Sequence, residues 1–74
     1  MEHSSIATLL GLAIRARREA LGLSQDAFAD KIQMHRAYFG VIERGGKKVT
    51  LPTLARVAEG LGIKPSILLN DFDL

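Results

Sequence analysis

The stretch SQDAFADKIQMHRAYFGVIERG, residues 24–45, constrains the fold more than any other part of the chain. It contains two short helical patterns, at about 25–32 and 36–44, separated by a three-residue turn. In the second pattern, the spacing i, i+3, i+4 places three side chains on one inward side: Phe39, Ile42 and Glu43. We therefore predict two helices joined by a tight turn, with Gly45 ending the second.

The opposite side of the second helix combines long cationic side chains with very small ones. Its members are Arg36, Ala37, Gly40, Val41 and Arg44. A helix that is only solvated would carry mainly Glu and Lys on this side. Small residues allow close approach to a surface while the Arg groups find acceptors, which suits the major groove of DNA.

Three further helical patterns flank this unit, at about 6–21, 51–61 and 65–70, and no segment has the character of a β-strand. Apolar stripes follow the helical period in the first and fourth helices: Ile6, Leu10, Ala13, Ile14 and Leu21, and then Leu51, Leu54, Val57, Ala58 and Leu61. The chain has 74 residues and no cysteine for a disulfide. We expect one all-α domain of five helices over residues 1–74.

The basic residues are concentrated in the middle of the chain, although the formal net charge is only +2. Between residues 15 and 48 there are eight Lys or Arg against four Asp or Glu, whereas the C-terminal tail carries Asp71 and Asp73. Such a distribution gives one end of a small domain a potential that attracts phosphates. A basic face that is merely solvated is the alternative interpretation.

Two charged residues fall on sides of helices that should face the core. Arg18 follows Ile14 by four residues on the first apolar stripe, and Glu43 lies on the inward side of the third helix. A buried charge needs a partner. We therefore predict a structural Arg18–Glu43 ion pair, in preference to a catalytic role for either residue.

The C-terminal segment carries more apolar side chains than a short helix can bury. We therefore expect part of this surface to meet a second copy of the chain. The predicted dimerisation region covers about 51–72, and its interface residues are Leu61, Ile63, Ile67, Leu68 and Phe72.

No residue pattern indicates an enzyme, a metal site or a cofactor. His3 and His35 lack a second imidazole or a carboxylate cluster at ligand spacing. The GGKK sequence at 45–48 lacks the spacing of a phosphate-binding loop and follows a helix. Because no apolar run reaches the ~18 residues of a membrane span and no signal peptide is recognisable, we expect a cytoplasmic protein without membrane contact.

LSQDAFADKI, a short turn and RAYFGVIERG together resemble the helix-turn-helix domain of the lambda-repressor-like (Xre or Cro/C1) family. IRARREALGLSQ and LPTLARVAEGLGI resemble the first and fourth helices of that family, so the resemblance covers nearly the whole chain. It implies a five-helix DNA-binding domain with the helix-turn-helix at about 24–45. It also implies a buried salt bridge between Arg18 and Glu43, in agreement with the ion pair predicted above from their inward positions.

Carried over by position, the resemblance implies a division of contacts with double-stranded DNA. Gln25 would contact a phosphate, and Arg36, Ala37 and Val41 would face base edges. The DNA backbone would be contacted by His35, Tyr38, Arg44, Lys47 and Lys48. Arg36 is the strongest candidate for reading sequence, because Arg commonly binds guanine O6 and N7 with two hydrogen bonds. Tyr38 suits a half-buried structural position nearly as well.

The chain departs from the family pattern at the turn and on the exposed face. Gln33 replaces the usual turn glycine, so we expect the backbone to depart from the usual left-handed conformation. His35 replaces the usual Ser or Thr, so we expect a weaker helix cap. Ala37 and Val41 lack hydrogen-bonding groups, and we therefore expect DNA shape to contribute to specificity.

Within that family, RxYFxxIERGxKxVTLPTLxxVAxxLG is most similar to the controller proteins of restriction–modification systems. This similarity implies a homodimer on a palindromic operator, with a tetramer on DNA and RNA polymerase as further candidate partners. The alternatives are a prophage-type repressor and an antitoxin-like or adaptor module that binds protein instead of DNA.

Overall fold

The computed structural model describes residues 5–72, and within them the helices follow the predicted order. The five helices of this part of the chain are α1 (Ile6–Ala20), α2 (Gln25–Lys31), α3 (Arg36–Glu43), α4 (Leu51–Leu61) and α5 (Pro65–Asn70). The last two have the predicted bounds, whereas the first three each end one residue earlier than predicted. The all-α class is confirmed, since residues 5–72 contain no strand.

Hydroxyl side chains begin three of the helices. The oxygen atoms of Ser5, Ser24 and Thr50 each accept a hydrogen bond from the backbone N–H three residues further on, which would otherwise lack a partner at the helix start. At the other end, Gly22 and Gly62 adopt left-handed conformations with φ of +75° and +77°. These local signals explain why helix bounds could be predicted closely from the sequence.

The core receives side chains from every one of these helices. The rings of Phe28 on α2 and Phe39 on α3 pack at a centroid separation of 5.1 Å and an interplanar angle of 41°. The other buried apolar residues of the cluster are Leu10, Ile14, Ala29, Ile32, Met34, Ile42, Leu54, Val57, Leu61 and Leu68. The α2–α3 unit is thus held from within by two aromatic rings.

Three residues of the predicted apolar stripes lie outside this core. Ile6, Leu21 and Leu51 are exposed, Leu51 by 78%. Ile6 and Leu51 are the first residues of their helices, and Leu21 follows the last residue of α1. The helical period is correct at these positions, but the helices extend past the edge of a small core.

Backbone contact fixes where α1 crosses α3. A Cβ atom built on Gly11 would lie 2.3 Å from the backbone oxygen of Glu43, so no larger side chain fits there without a shift. This close approach brings Arg18, two helical turns further along α1, next to the C-terminal end of α3.

Candidate nucleic-acid interface

A buried ionic network joins the first three helices. Arg18 donates to the Glu43 carboxylate from Nε at 2.6 Å and from Nη2 at 3.0 Å, and from Nη1 to the Leu23 carbonyl at 2.8 Å. The hydrogen bond with Glu43 raises the pKa of Arg18. Arg18 is only 7% exposed and Glu43 only 6%. The network therefore holds the inward side of α3 in one orientation against α1 and α2.

Gln25 is part of the same network. Its Nε2 atom donates to Glu43 Oε1 at 2.8 Å, and the residue is half-buried. The residue predicted to contact a phosphate therefore makes an internal hydrogen bond that the sequence did not reveal. This hydrogen bond links the start of α2 to the end of α3.

The opposite side of α3 presents the predicted cationic face. Arg36, Ala37 and Arg44 are exposed, while Val41 is half-buried. Gly40, predicted on the same side, is instead buried. Arg44 and Gln25 cover it, since a Cβ built there would lie 3.3 Å from Arg44 Nη1 and 3.5 Å from Gln25 Oε1. The accessible part of α3 is narrower than the sequence predicted.

The turn before α3 corrects one expectation. Gln33 adopts the left-handed conformation, with φ of +55°, although this costs a non-glycine residue ~1–3 kcal/mol. Met34 N–H donates to the Ala29 carbonyl at 2.8 Å, and Gln33 N–H donates to that of Asp30 at 3.1 Å. These two bonds form a Schellman motif, which requires a left-handed residue. Burial of Met34 stabilises the turn further.

His35 acts as the cap of α3, and the expectation that it is a weaker cap than Ser or Thr stays a prediction. Its Nδ1 atom accepts the backbone N–H of Ala37 at 3.2 Å. With Nδ1 as the acceptor, the neutral ring carries its proton on Nε2. His35 is exposed, so Nε2 can donate to a phosphate while the ring still caps the helix.

The loop after α3 adds cationic side chains beside this helix. Lys47 Nζ lies 5.9 Å from the centroid of the half-buried Tyr38 ring, within the range of a cation–π contact. Lys47 and Lys48 are both exposed. The structure thus brings the loop and Tyr38 together. Tyr38 is half-buried, as its structural interpretation expects, and its phosphate contact stays a prediction.

Arg36 forms an ion pair across the helix-turn-helix that no local pattern predicted. Its Nη1 donates to Oδ2 of Asp26 on α2 at 3.0 Å, and both side chains are largely exposed, by 72% and 66%. Asp26 precedes Arg36 by ten residues, so the contact depends on the packing of α2 against α3. The candidate interface therefore contains a carboxylate beside the residue that is predicted to read bases.

The C-terminal region differs from the predicted dimer surface. Leu68 on α5 is fully buried and Leu61 at the end of α4 nearly so, because both side chains pack in the chain's own core. They are therefore not available to a second chain. Ile67 is exposed, whereas Ile63 and Phe72 are half-buried.

The end of α5 is tied to α1 by a bidentate ion pair. Arg17 donates from Nε and Nη2 to the two carboxylate oxygens of Asp71, at 2.5 and 2.9 Å. The hydrogen bond from Arg17 lowers the pKa of Asp71. One of the two acidic residues predicted for the tail is thus neutralised by a partner, while Asp73 lies outside the described residues.

His3 also lies outside the described part of the chain. Within residues 5–72, no group of three or more His, Cys, Asp or Glu side chains could hold a metal ion. Over the same residues, no helix combines the length and the apolar character needed to cross a membrane.

The geometry defines a class of protein, a small helix-turn-helix domain with a cationic, accessible third helix. The family model described as Helix-turn-helix matches residues 14–68, which include α2, the turn, α3 and α4. The control protein C.MunI from a Mycoplasma species is 39% identical over 59 residues, which make up 80% of either chain.

Two solved structures are similar over almost all of their length. The restriction-modification controller protein C.AhdI from Aeromonas hydrophila has 35% identity and a TM-score of 0.80, covering 84% of this chain and 94% of its own. The chain belongs to the helix-turn-helix family and, within it, to the restriction-modification controller proteins. The C.Esp1396I tetramer in complex with its natural 35-base-pair operator shares the fold, with 23% identity, a TM-score of 0.83 and coverage of 93% and 91%.

Proposed function

We propose that the chain is a cytoplasmic, non-enzymatic transcriptional regulator that binds operator DNA as a homodimer, with α3 of each subunit in the major groove. The observation that carries this proposal is the exposed face formed by Arg36, Ala37 and Arg44. The inward side of the same helix is held by the buried Arg18–Glu43 pair. A helix that is already rigid loses little conformational entropy on binding.

The contacts with DNA divide into those that read sequence and those that add affinity. Arg36 is assigned to guanine, and Ala37 and Val41 to the methyl groups of thymine. The proposed phosphate contacts are Gln25, His35, Tyr38, Arg44, Lys47 and Lys48. Gln25 would use the second N–H of its amide, because the first donates to Glu43.

The proposed homodimer rests on apolar side chains at the C-terminal end of the described chain. Ile67 is exposed, and Ile63 and Phe72 are half-buried. Burial of these side chains between two chains would favour association. Two-fold symmetry would place the two α3 helices about one DNA turn, ~34 Å, apart on a palindromic operator. C.Esp1396I forms a tetramer on its operator, and we propose that two dimers of this chain bind neighbouring sites in the same way.

A titration of generic duplex DNA at several salt concentrations tests this function. Three exposed cationic residues per subunit (Arg44, Lys47 and Lys48), hence six per dimer, contact phosphates. Six contacts give a slope of log K against log salt of about −5, so affinity should fall roughly 10³-fold between ~50 and ~200 mM salt. Lys47→Ala removes two contacts per dimer and should make the slope shallower by about 2.

Fluorescence anisotropy of a labelled duplex measures both quantities. Glu59→Gln, which changes an exposed charge on α4, serves as a control and should leave the slope near its original value. An absence of salt-dependent duplex binding would contradict the proposal and favour the protein-interaction module.

A further inference from the structure

We propose that Asp26 is a specificity-determining residue of the DNA interface, because its carboxylate positions Arg36 for contact with guanine. The inference rests on the proposed function. Asp26 Oδ2 accepts the hydrogen bond from Arg36 Nη1 at 3.0 Å, across the turn between α2 and α3. Both side chains are exposed, so this pair lies on the accessible surface and not in the core.

The bond to Nη1 leaves a whole edge of the Arg36 guanidinium available. An Arg side chain has five N–H donors, and its Nε and Nη2 atoms form an edge that matches two acceptors. Arg18 and Arg17 use this same edge in their bidentate contacts with Glu43 and Asp71. Guanine presents O6 and N7 as two neighbouring acceptors. Arg36 can therefore bind guanine while Asp26 holds its third nitrogen.

Because Asp26 is negatively charged, its proposed effect on specificity can be distinguished from an effect on affinity. A carboxylate near the DNA repels phosphates, so Asp26 should weaken binding to every duplex. The hydrogen bond from Arg36 to Asp26 restricts the rotamers of Arg36 before DNA binds. This restriction favours the base contact that the restricted conformation can make. Asp26→Asn should therefore strengthen binding to generic DNA and at the same time reduce the preference for guanine.

Asp30 provides a matched control on the same helix. It is exposed and lines the same surface depression as Asp26 and Arg36. Among the ion pairs found in residues 5–72, none involves Asp30. Asp30→Asn removes the same charge close by without removing a hydrogen bond to Arg36. Both variants change exposed residues, and their melting temperatures should stay close to that of the original chain.

Selection from a pool of random-sequence duplexes, followed by sequencing, measures the preference at each base position. The original protein and the Arg36→Ala, Asp26→Asn and Asp30→Asn variants are each given the same pool. Arg36→Ala identifies the guanine position by a roughly 5- to 150-fold loss of preference there. At that position, Asp26→Asn should reduce the preference for guanine by roughly 1.4-fold to fivefold, the range expected for an exposed ion pair. Asp30→Asn should select the original motif.

Each outcome has a defined meaning. If the original protein enriches no motif, the proposed function fails, and the proposal for Asp26 fails with it. If a motif is enriched and Arg36→Ala alters it, but Asp26→Asn matches Asp30→Asn at the guanine position, Asp26 does not position Arg36. An increased guanine preference in Asp26→Asn would also overturn the proposal, because Asp26 would then hold Arg36 away from the base.

Discussion

Replacing Glu43 with Gln should remove much of the stability of the domain. The Glu43 carboxylate accepts two hydrogen bonds from Arg18, at 2.6 and 3.0 Å, and a third from Gln25 at 2.8 Å. Gln nearly preserves the shape of the side chain but removes its charge. The Arg18 cation would then be buried without a counter-ion, which is the costly result of breaking a buried pair.

The expected loss is large for a chain of this size. Breaking a buried ion pair from one side costs ~3–5 kcal/mol. The total free energy of unfolding of 74 residues, at ~0.05–0.15 kcal/mol per residue, is about 4–11 kcal/mol. The double variant Arg18→Met with Glu43→Leu leaves no unpaired buried charge. It should therefore be more stable than the Glu43→Gln variant.

Urea denaturation followed by circular dichroism, at one protein concentration, measures these free energies. Glu19→Gln is the matched control, because it removes the same type of charge from an exposed ion pair. In this pair on α1, Arg15 Nε lies 3.0 Å from Glu19 Oε2. It should change the stability by less than ~0.5 kcal/mol. Equal effects of the two Gln variants, or a double variant less stable than Glu43→Gln, would refute the reasoning.

Two further predictions concern how α1 packs. Gly11→Ala should destabilise the fold by ~1–3 kcal/mol, measured by the same denaturation, because its Cβ would lie 2.3 Å from a backbone oxygen of α3; an unchanged midpoint would exclude the close contact. The pKa of Asp71 is lowered in the folded state. The Arg17–Asp71 pair therefore stabilises the fold fully at pH values above the ordinary pKa of Asp, and this stabilisation is lost as the pH falls through the lowered pKa. Between neutral and acidic pH, the melting temperature of Asp71→Asn should thus decrease less than that of the original protein. Equal decreases would contradict this.

The helix-turn-helix could be predicted almost completely from the sequence, including the inward charge of Glu43 and its partner Arg18 on α1. Ser24, Gly45 and the apolar spacing act over a few residues, so helix bounds were correct to within one residue. The conformation of Gln33 was predicted wrongly because glycine is only the usual choice for a left-handed residue. Met34 N–H reaches the Ala29 carbonyl at 2.8 Å, and this bond requires the same conformation whatever the side chain.

The outer surface was less predictable than the core. The excess of apolar side chains near the C-terminus led to the prediction that Leu68 meets a second chain, but α5 places it fully in the core. Gly40 was assigned to the exposed face of α3, but the side chains of Arg44 and Gln25 cover it. In both cases the helix was correct, and the error lay in which neighbouring helix or side chain covers the residue.

The sequence by itself determined the helices, the order in which they follow one another and the cationic character of α3, because these depend on residues close together in the chain. Only the tertiary structure decided that Asp26 meets Arg36, that Gln25 joins the buried ion pair and that Leu68 is covered. Those contacts depend on the angles and distances between helices. The pattern of residues along any single helix does not contain that information.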